Sequence, residues 1–387
     1  MTPAARVAAA IEVLDAWLGG TALERALTNW ARAHRFAGSK DRAAIRDHVF
    51  DAVRCRRSFA ALGGAETGRG LMIGALRARG VDPATLFTGA GYGPPPLAAG
   101  ERGGGAREAL PEPVRLDCPD WLAPRLSQSL GADFAPVMEA LRHRAPVFLR
   151  VNLARTNRDA VIGALHDEAI EARAHALSPS ALEVTRGERR IQSSRAFRDG
   201  LVELQDAASQ AVIDLLPIRS GMRVLDYCAG GGGKSLALAA RGAEVTAHDI
   251  EPRRMSDIPA RAARAGVRIA TASTDRVAAQ APFDLVVADA PCSGSGAWRR
   301  SPQGKWDLTP ERLDELCAIQ AGILDEIAGL AGPRGQIAYA TCSMIDTENA
   351  AQIDGFLARH PGWCRSLERR FTPRDGGDGF YVALLTR

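Results

Sequence analysis

Apolar positions recur at helical spacing through the first 85 residues of the chain. Val7, Ile11, Leu14 and Leu18, for example, fall on one face of a single helix. A Gly/Pro-rich stretch at residues 91–105 interrupts this pattern and predicts a flexible linker. The chain is therefore predicted to begin with an all-helical domain that ends in an irregular connection.

The pattern becomes mixed beyond that stretch. Val147–Val151 and Leu182–Val184 are short apolar runs typical of strands, and a helix is predicted at Asn157–Glu168 between them. These elements predict a small α+β domain.

A regular alternation of strands and helices begins near Leu204. Strands are predicted at Arg223–Tyr227, Glu244–Ala247, Arg268–Thr271, Phe283–Ala288, Gln336–Ala340 and Phe380–Leu385. Helices are predicted near Lys234–Arg241, Pro252–Ala265, Pro310–Ala331 and Thr347–Arg359. Such alternation favours a mostly parallel α/β sheet with helices on both faces. The predicted division of the chain is a helical domain at 1–90, a linker at 91–110, an α+β domain at 111–203 and an α/β domain at 204–387.

Composition is consistent with a globular protein of several domains. The 387 residues are 46% hydrophobic and 24% charged, and no apolar run is as long as a membrane span. Glu12 and Asp15 interrupt the first apolar stretch, which argues against a signal peptide. The seven cysteines are irregularly spaced, so neither a disulfide framework nor a zinc site is expected, and a reducing cytoplasm fits.

Charge is unevenly distributed. The net charge is +4, and residues 1–60 carry ten basic and six acidic side chains, which accounts for the whole excess. This imbalance is compatible with a polyanionic partner or with a solvated helical surface. Lysine occurs only at Lys40, Lys234 and Lys305. A coding bias toward arginine is one explanation for this scarcity; the alternative is that a lysine retained against that bias occupies a position that needs a compact ammonium group.

A glycine-rich turn links the first predicted strand of the α/β domain to its helix. The strand ends at Asp226, and Cys228 and Ala229 precede the four glycines of residues 230–233. Glycines let the backbone approach a ligand, and an acid at the end of the next strand, here Asp249, can accept the hydroxyls of a ribose. A nucleoside cofactor is predicted.

An alternative is a phosphate-binding P-loop. Gly233, Lys234 and Ser235 match the end of that motif, and Asp289 ends a strand as a magnesium-binding acid would. However, the motif requires glycine where Cys228 stands.

Two cysteines follow later predicted strands of the same sheet. Cys292 lies in Asp289-Ala290-Pro291-Cys292 and Cys342 in Thr341-Cys342-Ser343. Because the carboxyl ends of parallel strands meet at one edge, both thiols are predicted beside the glycine-rich turn.

These motifs together resemble the RNA cytosine-5 methyltransferases of the RsmB/Nop2/Sun type. The matching segments are DYCAGGGGKS (226–235), DAPCSGSGAWRRSP (289–302), YATCS (339–343), DGFY (378–381), QDAAS (205–209), LRVN (149–152) and, for a NusB-like N-terminal domain, GSKDR (38–42). One departure is Gly230-Gly231 where the family has Ala-Pro, which implies a looser turn. The resemblance implies a Rossmann-like class I methyltransferase sheet preceded by a small α+β domain and an all-helical NusB-like domain.

The resemblance also implies roles for individual residues. Cys342 would attack carbon 6 of the cytosine, Cys292 would assist release of the product, Asp289 would bind the base, and Lys234 would lie near it. S-adenosylmethionine would be held by Asp226, Cys228, Ala229, Gly230, Gly231, Gly232, Gly233, Lys234, Asp249, Arg254, Asp275, Asp289 and Pro291. RNA would be contacted by Lys40, Arg42, Arg299 and Arg300, with Lys305 a further candidate.

The predicted protein is a cytoplasmic, monomeric RNA methyltransferase that acts on ribosomal RNA, with no metal and no membrane partner. Transfer RNA stays open as a substrate. A non-catalytic RNA-binding factor with a vestigial site is the other alternative, and the intact Cys292, Cys342, Asp289, Lys234 and Asp249 argue against it.

Overall fold

A computed structural model describes all 387 residues of the chain, which divide into two compact units. Unit 1 comprises Met1–Arg144 together with the later segment Trp298–Asp307. Unit 2 comprises Ala145–Ala297 and Leu308–Arg387. This division does not follow the boundaries predicted at 90, 110 and 203, and the four-domain description stays a prediction.

Unit 1 is helical. Its helices in the first 144 residues are α1 (Pro3–Leu18), α2 (Leu23–Ala33), α3 (Ser39–Arg54), α4 (Arg56–Gly63), α5 (Gly68–Ala78), α6 (Glu112–Arg115), α7 (Ala123–Leu130) and α8 (Phe134–Leu141). Val7 and Leu14 of α1 and Val49 of α3 are buried in one core with residues of α2 and α5. The apolar spacing seen in the sequence is therefore the spacing of a real packing face.

The Gly/Pro-rich stretch is fastened to the helices of unit 1. The Arg69 guanidinium donates to the carbonyls of Pro95 and Pro96 at 3.1 and 3.0 Å and pairs with Glu101 at 2.7 Å. The stretch contains a short 3₁₀ turn at Ala99–Glu101 but no strand or α-helix. Arg69 therefore holds this irregular segment against the helices, although the sequence alone predicts a flexible connection.

Unit 2 contains two sheets. Its first elements are β1 (Val147–Val151), α9 (Arg158–Asp167), β2 (Glu171–Ala174), β3 (Ala181–Arg186), α10 (Arg195–Arg198) and β4 (Val202–Leu204). The four strands form an antiparallel sheet in the order β2-β3-β1-β4. The predicted strands β1 and β3 are confirmed, and the two short edge strands β2 and β4 were not predicted.

The second sheet has seven strands. The strands of this sheet, and the helices that alternate with them along the chain, are α11 (Ala207–Asp214), β5 (Arg223–Asp226), α12 (Gly233–Ala239), β6 (Glu244–Ala247), α13 (Ile258–Ala265), β7 (Ile269–Thr271), α14 (Thr274–Gln280), β8 (Phe283–Asp289), α16 (Pro310–Ala328), β9 (Ala331–Thr341), α17 (Ala350–Arg359), β10 (Cys364–Phe371) and β11 (Phe380–Thr386). A further helix between β8 and α16, α15 (Gln303–Asp307), belongs to unit 1. The order is β10-β11-β9-β8-β5-β6-β7, parallel from β9 to β7 and antiparallel at β10 and β11.

Residues of β8 alternate between two cores. Val286 and Ala288 pack on one face of the sheet, and Leu285 and Val287 pack on the other. Four consecutive apolar residues of this strand are therefore buried, two on each face, as a sheet covered on both sides requires. The predicted Rossmann-like sheet is confirmed, and no helix of the chain is long and apolar enough to cross a membrane.

Candidate active site

Three neighbouring strands end at one edge of the seven-stranded sheet. Asp226 ends β5, Asp289 ends β8 and Thr341 ends β9, and these strands lie side by side in parallel. The loops that follow carry the glycine-rich turn, Cys292 and Cys342. The loops are therefore gathered at the end of the sheet where α/β proteins bind ligands.

The two thiols of these loops are in contact. The Sγ atoms of Cys292 and Cys342 lie 3.4 Å apart, and both side chains are half-buried. The hydrogen bond with Cys342 raises the pKa of Cys292 well above its usual value, and burial adds to this effect. Cys292 is therefore held as a thiol beside the sulfur of Cys342.

A buried ion pair lies in the same site. The Nζ of Lys234 is 2.6 Å from Oδ2 of Asp289, and its ammonium sits 5.1 Å from the centroid of the Phe380 ring. Burial opposes the charged form of Lys234, but the carboxylates of Asp289 and Asp226 and the nearby Cys342 outweigh it and raise the pKa of the lysine. Lys234 is thus a fixed positive charge in the site.

Backbone conformation explains two glycines of the turn. Gly230 has φ of 50° and Gly232 has φ of 79°, in the left-handed region that favours glycine. A Cβ on Gly232 would also lie 2.7 Å from Cγ1 of Ile258. Gly231 lies outside this region, so the backbone of the turn favours glycine at Gly230 and Gly232 in particular.

Asp249 braces the glycine-rich turn from the next strand. Its buried carboxylate accepts from the backbone N–H of Gly230 at 3.0 Å and of Glu251 at 3.0 Å. Arg254, more than half exposed, pairs with the same carboxylate at 3.1 Å. Ile250, the next residue, is 80% exposed, which is unusual for so apolar a side chain. Sequence reasoning missed Ile250 because exposure of a single apolar residue leaves no pattern.

Asp226 is fully buried behind the turn. Its Oδ2 accepts from the Ser235 hydroxyl at 2.5 Å, and its Oδ1 has no hydrogen-bond partner within the protein. Burial raises the pKa of Asp226 to about 6. Burial likewise raises the pKa of Cys228, which makes this third thiol unreactive.

The other residues predicted to bind the cofactor lie in different surroundings. Ala229 donates its N–H to the carbonyl of His248 at 2.8 Å, and the carbonyl of Gly233 accepts from Arg150 at 2.6 Å. Pro291 is exposed and its carbonyl accepts from Gln320 at 2.9 Å. Asp275 does not end a strand, as the sequence suggested, but lies exposed in the first turn of α14, four residues beyond β7.

The predicted RNA-contacting residues lie in unit 1. Lys40 and Arg42 are exposed in the first turn of α3, and Arg300 is half-buried. Arg299 is buried at 6% exposure, which argues against a direct contact with RNA. Lys305 is 1% exposed, which likewise argues against the predicted contact with RNA.

A buried arginine joins two of the sequence motifs. Arg150 of β1, 7% exposed, donates to the side chain of Gln205 and to the backbone of the glycine-rich turn at Gly233.

The neighbouring Asp206 makes a second long-range link. It accepts from the backbone of Ala208 and of Asp378 at 2.8 and 2.9 Å. Segments that are up to 172 residues apart in sequence thus brace one site, and sequence reasoning gave Arg150 no function.

Comparison with known proteins places the chain in a family. The family described as 16S rRNA methyltransferase RsmB/F matches residues 213–386, and the RsmF/B-like ferredoxin-like domain matches residues 118–189. The chain belongs to the RsmB/F methyltransferase family. Its resemblance to that family is confirmed, and so is the predicted cofactor of this class of methyltransferase, S-adenosylmethionine.

Individual relatives support the same assignment. Ribosomal RNA small subunit methyltransferase B of Salmonella arizonae and that of Klebsiella pneumoniae are each 34% identical over 286 residues, which cover 70% of this chain and 66% of the relative. The matched region is thus just under two thirds of their length. Among solved structures, PH0851 has a TM-score of 0.75 at 22% identity and covers 100% of this chain and 99% of its own. NSun6 from Pyrococcus horikoshii with SFG has a TM-score of 0.61 at 17% identity, with 69% and 98% covered. These two structures share the fold.

Proposed function

We propose that this protein methylates carbon 5 of a cytosine in ribosomal RNA through a covalent bond between Cys342 and the base. The substrate class rests on the relatives, which are named as small-subunit ribosomal RNA methyltransferases. The chemistry rests on one observation, the 3.4 Å contact between the thiols of Cys292 and Cys342 beside the Lys234–Asp289 ion pair.

Two cysteines suit this chemistry because carbon 5 of cytosine is a poor nucleophile. Addition of a thiolate to carbon 6 makes carbon 5 electron-rich, so it can accept a methyl group. The proton on carbon 5 must then leave to a base, and the bond between sulfur and carbon 6 must break. One thiol therefore forms the bond and the other assists its release.

Charge in the site favours Cys342 as the nucleophile. The ammonium of Lys234 interacts favourably with a thiolate at Cys342, as the raised pKa of the lysine reflects. Cys292 instead faces the negative charge of Glu348, and its pKa is raised by Cys342, by burial and by that carboxylate. A free thiol is only a few per cent ionised at pH 7, so an ammonium that stabilises a thiolate supports the assignment of Cys342 as the attacking sulfur.

Asp289 is the residue to which we assign binding of the base. Its carboxylate is a third exposed, and only Oδ2 is engaged by Lys234 at 2.6 Å. We assign to it a hydrogen bond to the ring nitrogen or amine of the cytosine, which stabilises the charge that develops during attack. The cytosine must leave its stack to reach these groups.

The residues around the glycine-rich turn fit S-adenosylmethionine. Asp226 leaves Oδ1 without a protein partner, Gly230 and Gly232 permit close approach of the backbone, and Ile250 offers an exposed apolar surface to a purine ring. When bound, the cofactor supplies an electrophilic methyl group. Asp249, two residues beyond the end of β6, would accept hydrogen bonds from the ribose hydroxyls.

Unit 1 is proposed to add affinity for RNA, as the resemblance to NusB-like domains implies. Exposed Lys40 and Arg42 are the candidates, because both are accessible at the start of α3. Replacing both by alanine should weaken RNA binding and reduce its salt dependence, measured by titration at several salt concentrations. Arg102→Ala, an exposed arginine of the same unit, is the matched control.

The covalent mechanism is tested by the behaviour of two cysteine variants. Cys342→Ala should abolish methylation and form no adduct, because the nucleophile is absent. Cys292→Ala should form an adduct and fail to release it. The measurement is a protein–RNA band that survives denaturing electrophoresis and requires the cofactor.

Cys364→Ala is the control, because Cys364 is an exposed cysteine of the same unit in β10. It should methylate RNA normally and trap none. An adduct that accumulates with Cys342→Ala would reverse the two assignments. Full activity of both single variants would rule out covalent catalysis by these thiols.

A further inference from the structure

A fully buried carboxylate lies beneath the two cysteine loops. Glu348 belongs to the turn after β9, and none of its surface is exposed. Its Oε1 accepts from the backbone N–H of Ser293 at 2.7 Å and from the Gln320 amide at 3.1 Å. Its Oε2 accepts from the hydroxyls of Ser293 and Ser343, each at 2.5 Å.

The two serines connect Glu348 to both cysteine loops. Ser293 follows Cys292 directly, and Ser343 follows Cys342 directly. Their hydroxyls also lie within 3.3 Å of each other. One carboxylate therefore joins the residue after each catalytic thiol, across 50 residues of sequence.

Four donors converge on Glu348, which matches what an ionised carboxylate can satisfy. A carboxylate accepts only, and its two oxygens offer about four positions for hydrogen bonds. Buried groups that lose such a partner leave donors unpaired, so the network is sensitive to any change at its centre. The backbone adds one more link, because Gly296 donates its N–H to the carbonyl of Cys342 at 2.9 Å.

We propose that Glu348 is a positioning residue that holds the loops of Cys292 and Cys342 together, so that both sulfurs reach the same pyrimidine ring. The inference deepens the proposed function and rests on it for its catalytic consequence. Glu348 itself touches neither substrate nor cofactor. Its role is to keep the sulfurs at the 3.4 Å separation that the two-thiol chemistry uses.

Kinetics of Glu348→Ala give the first test. A displacement of reacting groups by about 1 Å can cost about 100-fold in rate, so a loss of about that size in kcat is expected. S-adenosylmethionine binding, measured by calorimetry, should change less than twofold, because none of the four donors to Glu348 belongs to the cofactor turn. Glu348→Gln keeps the shape and one acceptor, so it should recover part of the lost rate.

Asp117→Asn is the matched control for Glu348→Gln. Asp117 is also fully buried, and it also accepts from the N–H and hydroxyl of one serine, Ser58, each at 2.8 Å. It belongs to unit 1, whereas Cys292 and Cys342 belong to unit 2. A comparable loss of stability in both variants with a loss of thiol coupling only in Glu348→Gln separates positioning from folding.

Thiol coupling is measured without any methylation. Diamide takes one hydrogen from each thiol and leaves a disulfide, and the sulfurs must approach from 3.4 Å to about 2.05 Å. The linked peptides of Cys292 and Cys342 are quantified by mass spectrometry. Wild-type protein and Asp117→Asn should form the bond at equal rates, and Glu348→Ala should form it at least about tenfold more slowly.

Each result decides the inference. Unchanged disulfide formation in Glu348→Ala would overturn it, whether or not activity falls, because the loops would not depend on the carboxylate. Should Glu348→Ala fail to fold, slower coupling in Glu348→Gln supports the proposal and unchanged coupling overturns it. If wild-type protein methylates no cytosine in RNA and Cys292→Ala forms no adduct, the proposed function fails, yet the disulfide rates still decide whether Glu348 holds the two loops.

Discussion

Two of the three lysines in the chain are buried, one in each unit, and their partners differ. Lys234 is 6% exposed and meets the carboxylate of Asp289 at 2.6 Å. Lys305 is 1% exposed and donates from Nζ to the backbone carbonyl of Arg54 at 3.0 Å. Lys234 therefore has an ionic partner in a reactive site, whereas Lys305 has a neutral one at the end of a helix.

The end of α3 explains the position of Lys305. A helix leaves its last carbonyls unsatisfied, and a cation near them is favourable. Lys305 binds the carbonyl of Arg54, and the Trp306 indole donates to that of Val53 at 2.7 Å. In return the Arg54 guanidinium donates to the carbonyl of Arg299 at 2.8 Å. The segment Trp298–Asp307 thus caps α3, which is why it belongs to unit 1 although it follows the Cys292 loop in sequence.

The pKa values of the two lysines move in opposite directions. Burial lowers the pKa of Lys305, and Asp117, Cys55 and Cys118 only partly oppose it. Burial also acts on Lys234, but the carboxylates of Asp289 and Asp226 raise its pKa overall. The lesson is that burial alone does not reveal what a lysine does; the charge of its partner does.

The largest expected effect separates the two lysines by activity. Lys234→Met removes the charge that faces Asp289 and favours the Cys342 thiolate, so kcat should fall by about 100- to 1,000-fold. Lys305→Met, measured in the same methylation assay under conditions where both variants are folded, is the control and should lose far less. A loss of kcat below tenfold for Lys234→Met would contradict the catalytic role assigned to this lysine.

Cofactor affinity tests a different acid of the site. Asp249→Ala removes the carboxylate that braces Gly230 and would hold the ribose, so S-adenosylmethionine should bind more than about tenfold more weakly, a change of about 1.4 kcal/mol. Calorimetry measures the affinity. Glu244→Ala is the matched control, because that acid is exposed at the first residue of β6, the end of the strand opposite to Asp249. Equal affinity of Asp249→Ala and wild-type protein would mean that the ribose is held elsewhere.

The free energy of unfolding tests the structural role of Lys305. Lys305→Met leaves the carbonyl of Arg54 buried and unpaired, which should lower the free energy of unfolding by about 1–3 kcal/mol. Denaturant titration with a probe on unit 1 measures it. An increase in stability would show that the cost of burying the ammonium exceeds the value of capping α3.

Sequence patterns predicted the sheet of unit 2 well because its strands are short apolar runs. Strand β10 was missed, since Cys364–Phe371 is rich in arginine and mostly exposed at the edge of the sheet. Strand β9 begins at Ala331, five residues before its predicted start, because Gly332 and Pro333 are typical of loops. Local composition cannot reveal that pairing with a neighbouring strand extends a strand through such residues.

Site residues were predictable where they occur in a motif and not where long-range contacts define them. Cys292, Cys342, Lys234 and Asp289 lie together as their motifs indicated. Glu348 has no such signal, because three of its four donors come from Ser293 and Gln320, which lie 55 and 28 residues away in sequence. Likewise, nothing near Lys305 in sequence indicates that its partner is Arg54, 251 residues earlier. Deletion of residues 1–105 would remove that partner, so point variants test unit 1 more cleanly.

The smallest expected effect is a difference in pH dependence between Lys305→Met and Lys234→Met. An unfolded lysine titrates near its ordinary pKa of 10.5, and folded Lys305 loses its proton at a lower pH. Between these two pKa values the unfolded state binds more protons, so wild-type stability should rise relative to Lys305→Met as pH increases toward 10.5. Folded Lys234 keeps its proton beyond 10.5, so its stabilising contribution is fully present below that pH and is lost only above it. The stability difference between wild type and Lys234→Met should therefore stay constant up to pH 10.5. Urea titrations from pH 8 to 10.5 measure both differences, and parallel curves for the two variants would contradict the opposite environments assigned to the two lysines.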